Sequence, residues 1–326
     1  MFFYIRSGTD FKIKDIAESM DYSLVIGSIY GDFTRITFPS SVNVTSGDFI
    51  MNDYGFICIV ESVDKNDEMI EVDGKDINNL FNRQIVYDGS EASTSVEAYL
   101  MDKLTENFIT VSDTYYRIPF LTLAASTTTV ASSKPDVEEG IYNLKSYISK
   151  TKRLYGVGVT YTVSGANLLA TINQKTTNKN LFLDTSVYKI TEETFAESVV
   201  AKITAINTDT NASQNYYLLS NGSFTTDMTD PDRVKGQWVI LTYDDNTIPE
   251  ESVMNKFKEN IYSHKVTFIS DEKNAIYDYY DYVKVRLNDN IYDSYVAKKV
   301  VNSDGTTEYQ LGELRNTFTS QNYKNS

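Results

Sequence analysis

The order of signals that starts at Asp48 returns at Asp281, and a chain that repeats a module is constrained in fold more tightly than by its composition. The first stretch reads Asp48-Phe49-Ile50-Met51, a turn at Asp53-Tyr54-Gly55, an apolar run from Phe56 to Val63, a charged turn from Asp64 to Glu68, a run from Met69 to Val72, and Gly74. The second reads Asp281-Tyr282-Val283-Lys284-Val285, a turn at Asn288-Asp289-Asn290, a run from Tyr292 to Val301, the turn Asn302-Ser303-Asp304-Gly305, a run from Thr307 to Leu311, and Gly312. Short apolar runs separated by Asn, Asp and Gly are the pattern of antiparallel hairpins. A duplicated meander lets one protomer supply two similar wedges of a ring.

At 326 residues and 41% apolar content the chain can bury a sizeable core and make two or three domains. Its single cysteine, Cys58, lies in the first apolar run and reads as a buried small hydrophobe, and no disulfide can form within the chain. The start Met1-Phe2-Phe3-Tyr4-Ile5-Arg6 has no basic flank, and no stretch approaches the roughly 20 apolar residues of a membrane span. Synthesis in a cytoplasm, without a membrane span, is expected. The formal charge of −15 argues against tight nucleic-acid binding, which needs clustered Lys and Arg to displace counterions. An acidic wall nonetheless lets a duplex slide past without sticking. The 25 tyrosines beside one tryptophan read first as coding bias and second as a binding surface.

Residues 23–29 and 32–38 read as strands around Gly31, the second with Thr34, Ile36 and Phe38 on one face. After Gly74, the spacing of Ile77, Leu80 and Phe81 predicts a short helix capped by Asp76. Thr94-Ser95-Val96-Glu97 has the form of a capping box, with Val96, Leu100, Leu104 and Phe108 following on one helical face. A surface loop over 124–133 precedes Pro135 and Asp136, which are expected to open a helix carrying Ile141, Leu144 and Ile148. Residues 157–163 and 168–172 make a hairpin about Ser164-Gly165. The β pattern returns over 197–206, 216–219 and 238–242, with a turn at Asn221-Gly222. Pro249, Glu250 and Glu251 then start a helix with Val253, Phe257 and Ile261. The polar end, 316–326, is expected to fray or dock on a neighbour. The reading is α+β, mainly β: a first antiparallel β-barrel domain over 1–90 with a closing short helix, a mixed α/β domain over 91–190, and a second, related β domain over 191–326 with a helix inserted near 249–262.

Certain residues also carry a resemblance. They are Gly47-Asp48-Phe49-Ile50, the strands through Ile59 and Ile70, and the stretch Val72-Asp73-Gly74-Lys75-Asp76-Ile77-Asn78-Asn79-Leu80-Phe81-Asn82-Arg83. At the other end they are Tyr277-Asp278-Tyr279-Tyr280-Asp281-Tyr282-Val283-Lys284-Val285 and Leu311-Gly312-Glu313-Leu314. This order resembles the phage tail-hub family, the tail-tip hubs of siphophages and the baseplate hubs of contractile tails and tailocins. The family usually has Leu-Gly-Asp before the C-terminal strand; Tyr279-Tyr280-Asp281 stands here, without the glycine that serves a tight turn.

The resemblance implies a homotrimer whose two tube-like barrels per protomer form a pseudo-sixfold ring, a symmetry adaptor between a sixfold tail tube and a threefold tip. It implies a virion structural protein at the tail tip or baseplate, with a bore passing double-stranded DNA without specific binding. Partners on this reading are the distal tail protein or tube ring, the tape measure protein, and a tail spike or tip protein. The signature positions are Gly47, Asp48, Gly74, Arg83, Asp281 and Gly312. Tyr277, Tyr279, Tyr280 and Tyr282 are candidate interface aromatics, with amphipathic strand pairing as the other reading. Gly74, between strand and helix, is expected to be left-handed.

No catalytic, cofactor or metal residue is assigned. The only histidine, His264, has no HExxH partner or neighbouring cysteine and reads as a helix C-cap or surface residue. Glu138-Glu139, Glu192-Glu193 and Glu250-Glu251 read as acids near helix starts rather than a glycosidase pair. Gly156-Val157-Gly158 lacks the third glycine of a dinucleotide loop. The oxygen-rich segments 64–68 and 227–232 lack EF-hand spacing and read as turns. Two rivals stand beside the structural hub: a receptor- or carbohydrate-binding tail component, and a wall-degrading hydrolase. The second would need a catalytic domain beyond the closing module.

Overall fold

The computed structural model describes residues 1–27, 33–87, 95–125, 140–174, 178–182, 188–195, 200–219, 223–244, 249–259, 264–270, 277–279, 281–287 and 290–316. The fold is mainly β, and the chain divides into two units: Met1–Thr176 with Lys298–Thr307, and Thr177–Ala297 with Glu308–Ser326.

Unit 1 begins with seven antiparallel strands: β1 (Phe2–Arg6), β2 (Ile13–Glu18), β3 (Asp21–Ile26), β4 (Thr34–Pro39), β5 (Phe49–Met51), β6 (Ile57–Lys65) and β7 (Met69–Asp76). Side chains alternate across a strand, so Thr34, Ile36 and Phe38 are buried while Arg35 and Pro39 face out. The strand order is β3-β4-β7-β6-β5-β1-β2. One core fills its concave side, with Phe3, Leu24, Ile36, Phe38, Ile50, Val60 and Val72 buried. Phe3 on β1 meets Tyr22 on β3, Phe38 on β4 and Phe56 edge-on, at centroid distances of 6.0, 5.9 and 6.4 Å. Rings from strands far apart in the order thus touch, so the sheet is rolled. No pairing among the described residues closes it into a barrel. Strands β1 and β2 were not in the sequence expectations, because β2 buries only Ala17 and shows no alternation.

The rest of unit 1 surrounds a second core. It comprises β8 (Gln84–Tyr87), α1 (Val96–Leu104), β9 (Leu121–Ala125), β10 (Gly140–Asn143), α2 (Leu144–Tyr155), β11 (Val157–Ser164) and β12 (Asn167–Gln174). The short helix after β7 spans Ile77–Phe81 as a 3-10 turn, capped by Asp76 as expected. Helix α1 is capped by Ser95, whose Oγ accepts from the Ala98 N–H at 3.1 Å, one residue later than the capping-box pattern implied. Phe108 sits on a π-helical turn, Thr105–Ile109, that continues the buried face of Leu100 and Leu104. The second helix starts at Leu144 rather than at Asp136, with Asn143 accepting from the Ser146 N–H. Ile141 lies instead in β10, 73% exposed. Pro135, Asp136 and the loop 126–133 lie outside the described residues. The hairpin β11–β12 forms as read, with β9 parallel on β12.

Unit 2 has β13 (Asn178–Phe182), β14 (Lys189–Phe195), β15 (Val200–Asn207), β16 (Ser213–Leu218), β17 (Phe224–Thr225), β18 (Gln237–Tyr243), α3 (Pro249–Glu259), β19 (His264–Ser270), β20 (Tyr282–Leu287), and most of β21 (Asn290–Asn302) and β22 (Thr307–Asn316). A four-stranded sheet, β17-β16-β15-β18, buries Ile203, Ala205, Tyr216 and Leu218 against Val253 and Phe257 of α3. Helix α3 opens on Pro249, Glu250 and Glu251, as the proline and dipole rules require. Ile261 and the turn Asn221-Gly222 lie outside the described residues.

The other sheet of unit 2 answers the duplication directly. Its order is β14-β19-β22-β21-β20, and that of the first copy is β3-β4-β7-β6-β5. Both copies use their strands in the same sequence order. The second copy inserts the four-stranded sheet and α3 between its first and second strands. A sixth strand differs: β1 lies antiparallel on β5, whereas β13 lies parallel on β20.

Candidate assembly site

The two copies share a turn as well as a strand order. In the first, Asp48 N–H donates to the Thr45 carbonyl at 3.1 Å, and Thr45 N–H donates back to Asp48 Oδ2 at 2.8 Å. The Asp48 carbonyl then accepts from the Val60 N–H at 2.8 Å. In the second, Asp281 N–H donates to the Asp278 carbonyl at 2.9 Å, Asp278 N–H donates to Asp281 Oδ2 at 2.8 Å, and the Asp281 carbonyl accepts from the Val296 N–H at 3.0 Å. The registers agree: Phe49 pairs with Ile59, and Tyr282 with Tyr295. Each aspartate thus ties a turn shut and docks the strand after it. Both are buried, at 5% and 1% exposure. A buried carboxylate is stable only when its oxygens are satisfied, which explains an acid inside a β module.

Asp48 has further partners. Asp48 Oδ2 also accepts from Thr45 Oγ1 at 3.0 Å and from Lys14 Nζ at 2.7 Å, and Gly8 N–H points at Oδ1 at 3.3 Å. Gly47 stands third in the first turn with φ +87°, the left-handed region that favours glycine. The matching residue, Tyr280, lies outside the described residues. The Asp281-to-Asp278 bond forms all the same, so absence of the Leu-Gly-Asp glycine does not abolish the turn.

Gly74 corrects an expectation. It lies within β7, and its φ is not among the positive ones. Its constraint is close approach, because a Cβ would stand 2.6 Å from Cys58 Sγ. Gly312, in β22, is tight for a similar reason, since a Cβ would meet the Tyr295 ring at 2.8 Å and Ala297 Cβ at 3.1 Å. The two glycines nevertheless face opposite sides of their modules. Cys58 belongs to the concave core, whereas Tyr295 and Ala297 form a separate cluster with Tyr279 and Tyr282.

Arg83 serves the second core of unit 1. Its guanidinium lies 4.4 Å from the Phe108 ring centroid and 5.3 Å from that of Tyr116, and Nη1 donates to the Asn107 carbonyl. Cation–π contact and charge-assisted bonding hold the π-helical turn. Of the tyrosines, Tyr277 is 7% exposed and packs edge-on against Tyr309 at 5.8 Å, inside the core of the second module. Tyr279 and Tyr282 are half-buried against Tyr295.

Residues with latent chemistry are dispersed. Cys58 is buried in β6, and burial pushes its thiol pKa up to about 12, far from a nucleophilic thiolate. His264 opens β19 opposite Phe195. Glu192-Glu193 lies in β14 rather than at a helix start, and Glu138-Glu139 lies outside the described residues. Gly156 ends α2 in the left-handed conformation, its N–H on the Lys152 carbonyl. Asn66 Oδ1 accepts the N–H groups of Glu68 and Met69, closing the β6–β7 hairpin. Asp227 accepts from Thr229 N–H and Oγ1, which holds its carboxyl below the ordinary range. Among the described residues no group of three or more His, Cys, Asp or Glu could hold a metal ion, and no helix is long and apolar enough to cross a membrane.

One surface feature had no sequence signal beyond its residue type. Trp238 on β18 is 64% exposed, on the face of its sheet away from α3. Its Nε1 donates to Thr204 Oγ1 at 2.7 Å, and Lys202 Nζ sits 3.5 Å from the ring centroid. Ile240, 66% exposed, continues the patch along β18.

No protein-family model matches this chain, and no curated protein does. Solved structures do. The activated baseplate of the phage P2 virion contains a chain with TM-score 0.57 at 14% identity, covering 96% of this chain and 98% of that one. Prophage tail protein gp18 from Listeria monocytogenes matches at TM-score 0.58 and 11% identity, covering 98% of this chain and 97% of that one. The 43 kDa tail protein of prophage MuSo2 from Shewanella oneidensis matches at TM-score 0.55 and 11% identity, covering 97% and 98%. Over nearly its whole length, and with its two like modules, this chain therefore has the fold of phage baseplate and tail proteins.

Proposed function

We propose that this chain is a non-enzymatic structural component of a phage or phage-derived tail, a trimeric hub at the tail tip or baseplate. The observation that carries this reading is the doubled module: the same strand order and the same aspartate turn occur twice in one chain. Three such chains present six similar faces to a sixfold tube ring, while the elements inserted between the modules keep threefold symmetry. The rolled sheets close into barrels only when neighbouring protomers complete the ring. Its bore passes the genome, and the net charge of −15 suits a wall that must not bind DNA. The distal tail protein or tube ring, the tape measure protein and a tip or spike protein are the partners that the resemblance to tail hubs implies. The domain reading of two tube-like ends around a middle domain, and the signature roles of Gly47, Asp48, Gly74, Arg83, Asp281 and Gly312, belong to this proposal.

Copy number tests it. Mass measurement of assembled particles is expected to give three copies per tail, and six copies would overturn the adaptor. A second reading, a receptor- or carbohydrate-binding tail component, is favoured by the exposed Trp238 patch, since aromatic faces with flanking hydrogen-bond groups suit sugar stacking. Tails carrying Trp238→Ala that lose adsorption to cells while keeping normal morphology would support it.

A further inference from the structure

Strand β21 is longer than its β20 partner, and the excess is used. A strand has two edges. One edge of β21 carries β22, and the other carries β20 along Asn290–Tyr295. Farther along that second edge, Lys299–Asn302 pair antiparallel with Ile26–Ser23 of β3, all within unit 1. Ser303 N–H extends the match to the Tyr22 carbonyl at 3.0 Å. The hairpin tip of the second module thus augments the outer strand of the first.

The first module has the same parts, with no strand in that place among the described residues. By strand order and register, β6 corresponds to β21, β5 to β20, and β14 to β3. One edge of β6 carries β7 to Lys65. On the other edge β5 reaches only Ile59, Gly47 N–H and Ser46 Oγ take the carbonyls of Val60 and Glu61, and from Ser62 to Lys65 no strand follows among the described residues. Among the described residues strand β14 pairs with β19 alone, and no strand lies on its outer edge. Unpaired edges are rows of donors and acceptors that pair readily with another chain.

We infer that Ser62–Lys65 of β6 in one protomer adds antiparallel to the outer edge of β14 in a second copy of this chain, repeating between protomers the β21–β3 joint made within each. This rests on the ring reading and names its closing contact. The contact is heterologous, because different edges meet, and heterologous contacts close into rings when the rotation allows.

Hydrogen exchange on the full-length chain, alone and in assembled particles, tests the joint. On assembly the amides of Ser62–Lys65 and Lys189–Phe195 are expected to slow by about tenfold or more, while Lys299–Asn302 stays slow in both states. Disulfide trapping needs no monomer: single cysteines Val63→Cys or Asp64→Cys, paired with a cysteine at each of positions 189–195 in turn, are expected to give an inter-protomer crosslink in at least one register. A three-copy ring with neither protection nor any crosslink overturns the joint and leaves the hub reading intact. Six copies per ring overturns the hub reading, and the joint falls with it.

Discussion

The first module packs phenylalanines and aliphatic side chains around Cys58 and ties Lys14 to its turn acid, whereas the second packs valines with Phe268, Tyr277 and Tyr309. Phe3, Phe38 and Phe56 fill the first. In the second, Tyr309 stacks on Phe268 and Tyr277 meets Tyr309 edge-on. Their outer faces diverge further: Phe49, Ile57 and Ile59 are covered by the second core of unit 1, while the matching face carries Tyr279, Tyr282, Tyr295 and Ala297. Backbone bonding is what the copies keep in common. The difference teaches that a strand order and a turn can persist while the side chains filling them change freely, because a core needs apolar volume rather than particular residues.

The largest effect that sharpens this contrast concerns the two acids. Asp48→Ala and Asp281→Ala each remove the carboxylate that accepts a turn N–H, and each should cost about 2–3 kcal/mol. Thermal scans should show the first lowering the transition of unit 1 and the second that of unit 2. A silent Asp281→Ala would mean that the two turns do not do equal duty. Next come the glycines. Gly74→Val should destabilise by about 2–3 kcal/mol and be partly rescued by Cys58→Ala, while Gly312→Val should be rescued by truncating Tyr295 and not by Cys58→Ala. Crossed rescue would contradict the assignment of the two glycines to opposite faces.

Cys58 gives a pH-dependent comparison. Burial keeps its thiol neutral in the fold and lifts its pKa to about 12, above the unfolded value of about 8.5. Its contribution is therefore present in full below about pH 8.5 and is lost as the pH rises toward the folded value. The stability of wild type minus that of Cys58→Ala should be flat up to about pH 8.5 and fall above it, measured by urea unfolding. A difference that stays flat to pH 10.5 would argue that the residue is reached by water. The smallest effect belongs to Trp238→Ala, expected to change stability by about 0.5–1 kcal/mol, because an exposed cation–π contact is worth little. A larger loss would show that the patch supports its sheet rather than standing ready for a ligand.

Much of the fold was legible where local chemistry acts alone. Asp76 and Ser95 cap helices close to where their side chains predict, Pro249 opens α3, and Ser164-Gly165 turns the β11–β12 hairpin. Expectations failed where tertiary packing overruled local pattern. Ile141 looked helical from its spacing to Leu144 and Ile148, yet β8 recruits it into a strand, Ile141 pairing with Val86. Gly74 looked like a left-handed glycine from its place before a helix, and its need for a bare Cα comes instead from a sulfur on the neighbouring strand. For Tyr277 the sequence leaves interface anchor and strand pairing both open, and within the protomer it packs inward onto Tyr309.

By itself the sequence determined that a β module recurs, where its turns fall, and which residues can cap, because those depend on side chains a few residues apart. It took contacts in three dimensions to establish that the copies share one strand order, that Asp48 and Asp281 make the same three bonds, and that one hairpin tip is paired while its counterpart carries no strand among the described residues. Those facts depend on contacts between residues far apart in the chain, and hydrogen-bonding edges are set by backbone placement, which no single residue's chemistry encodes.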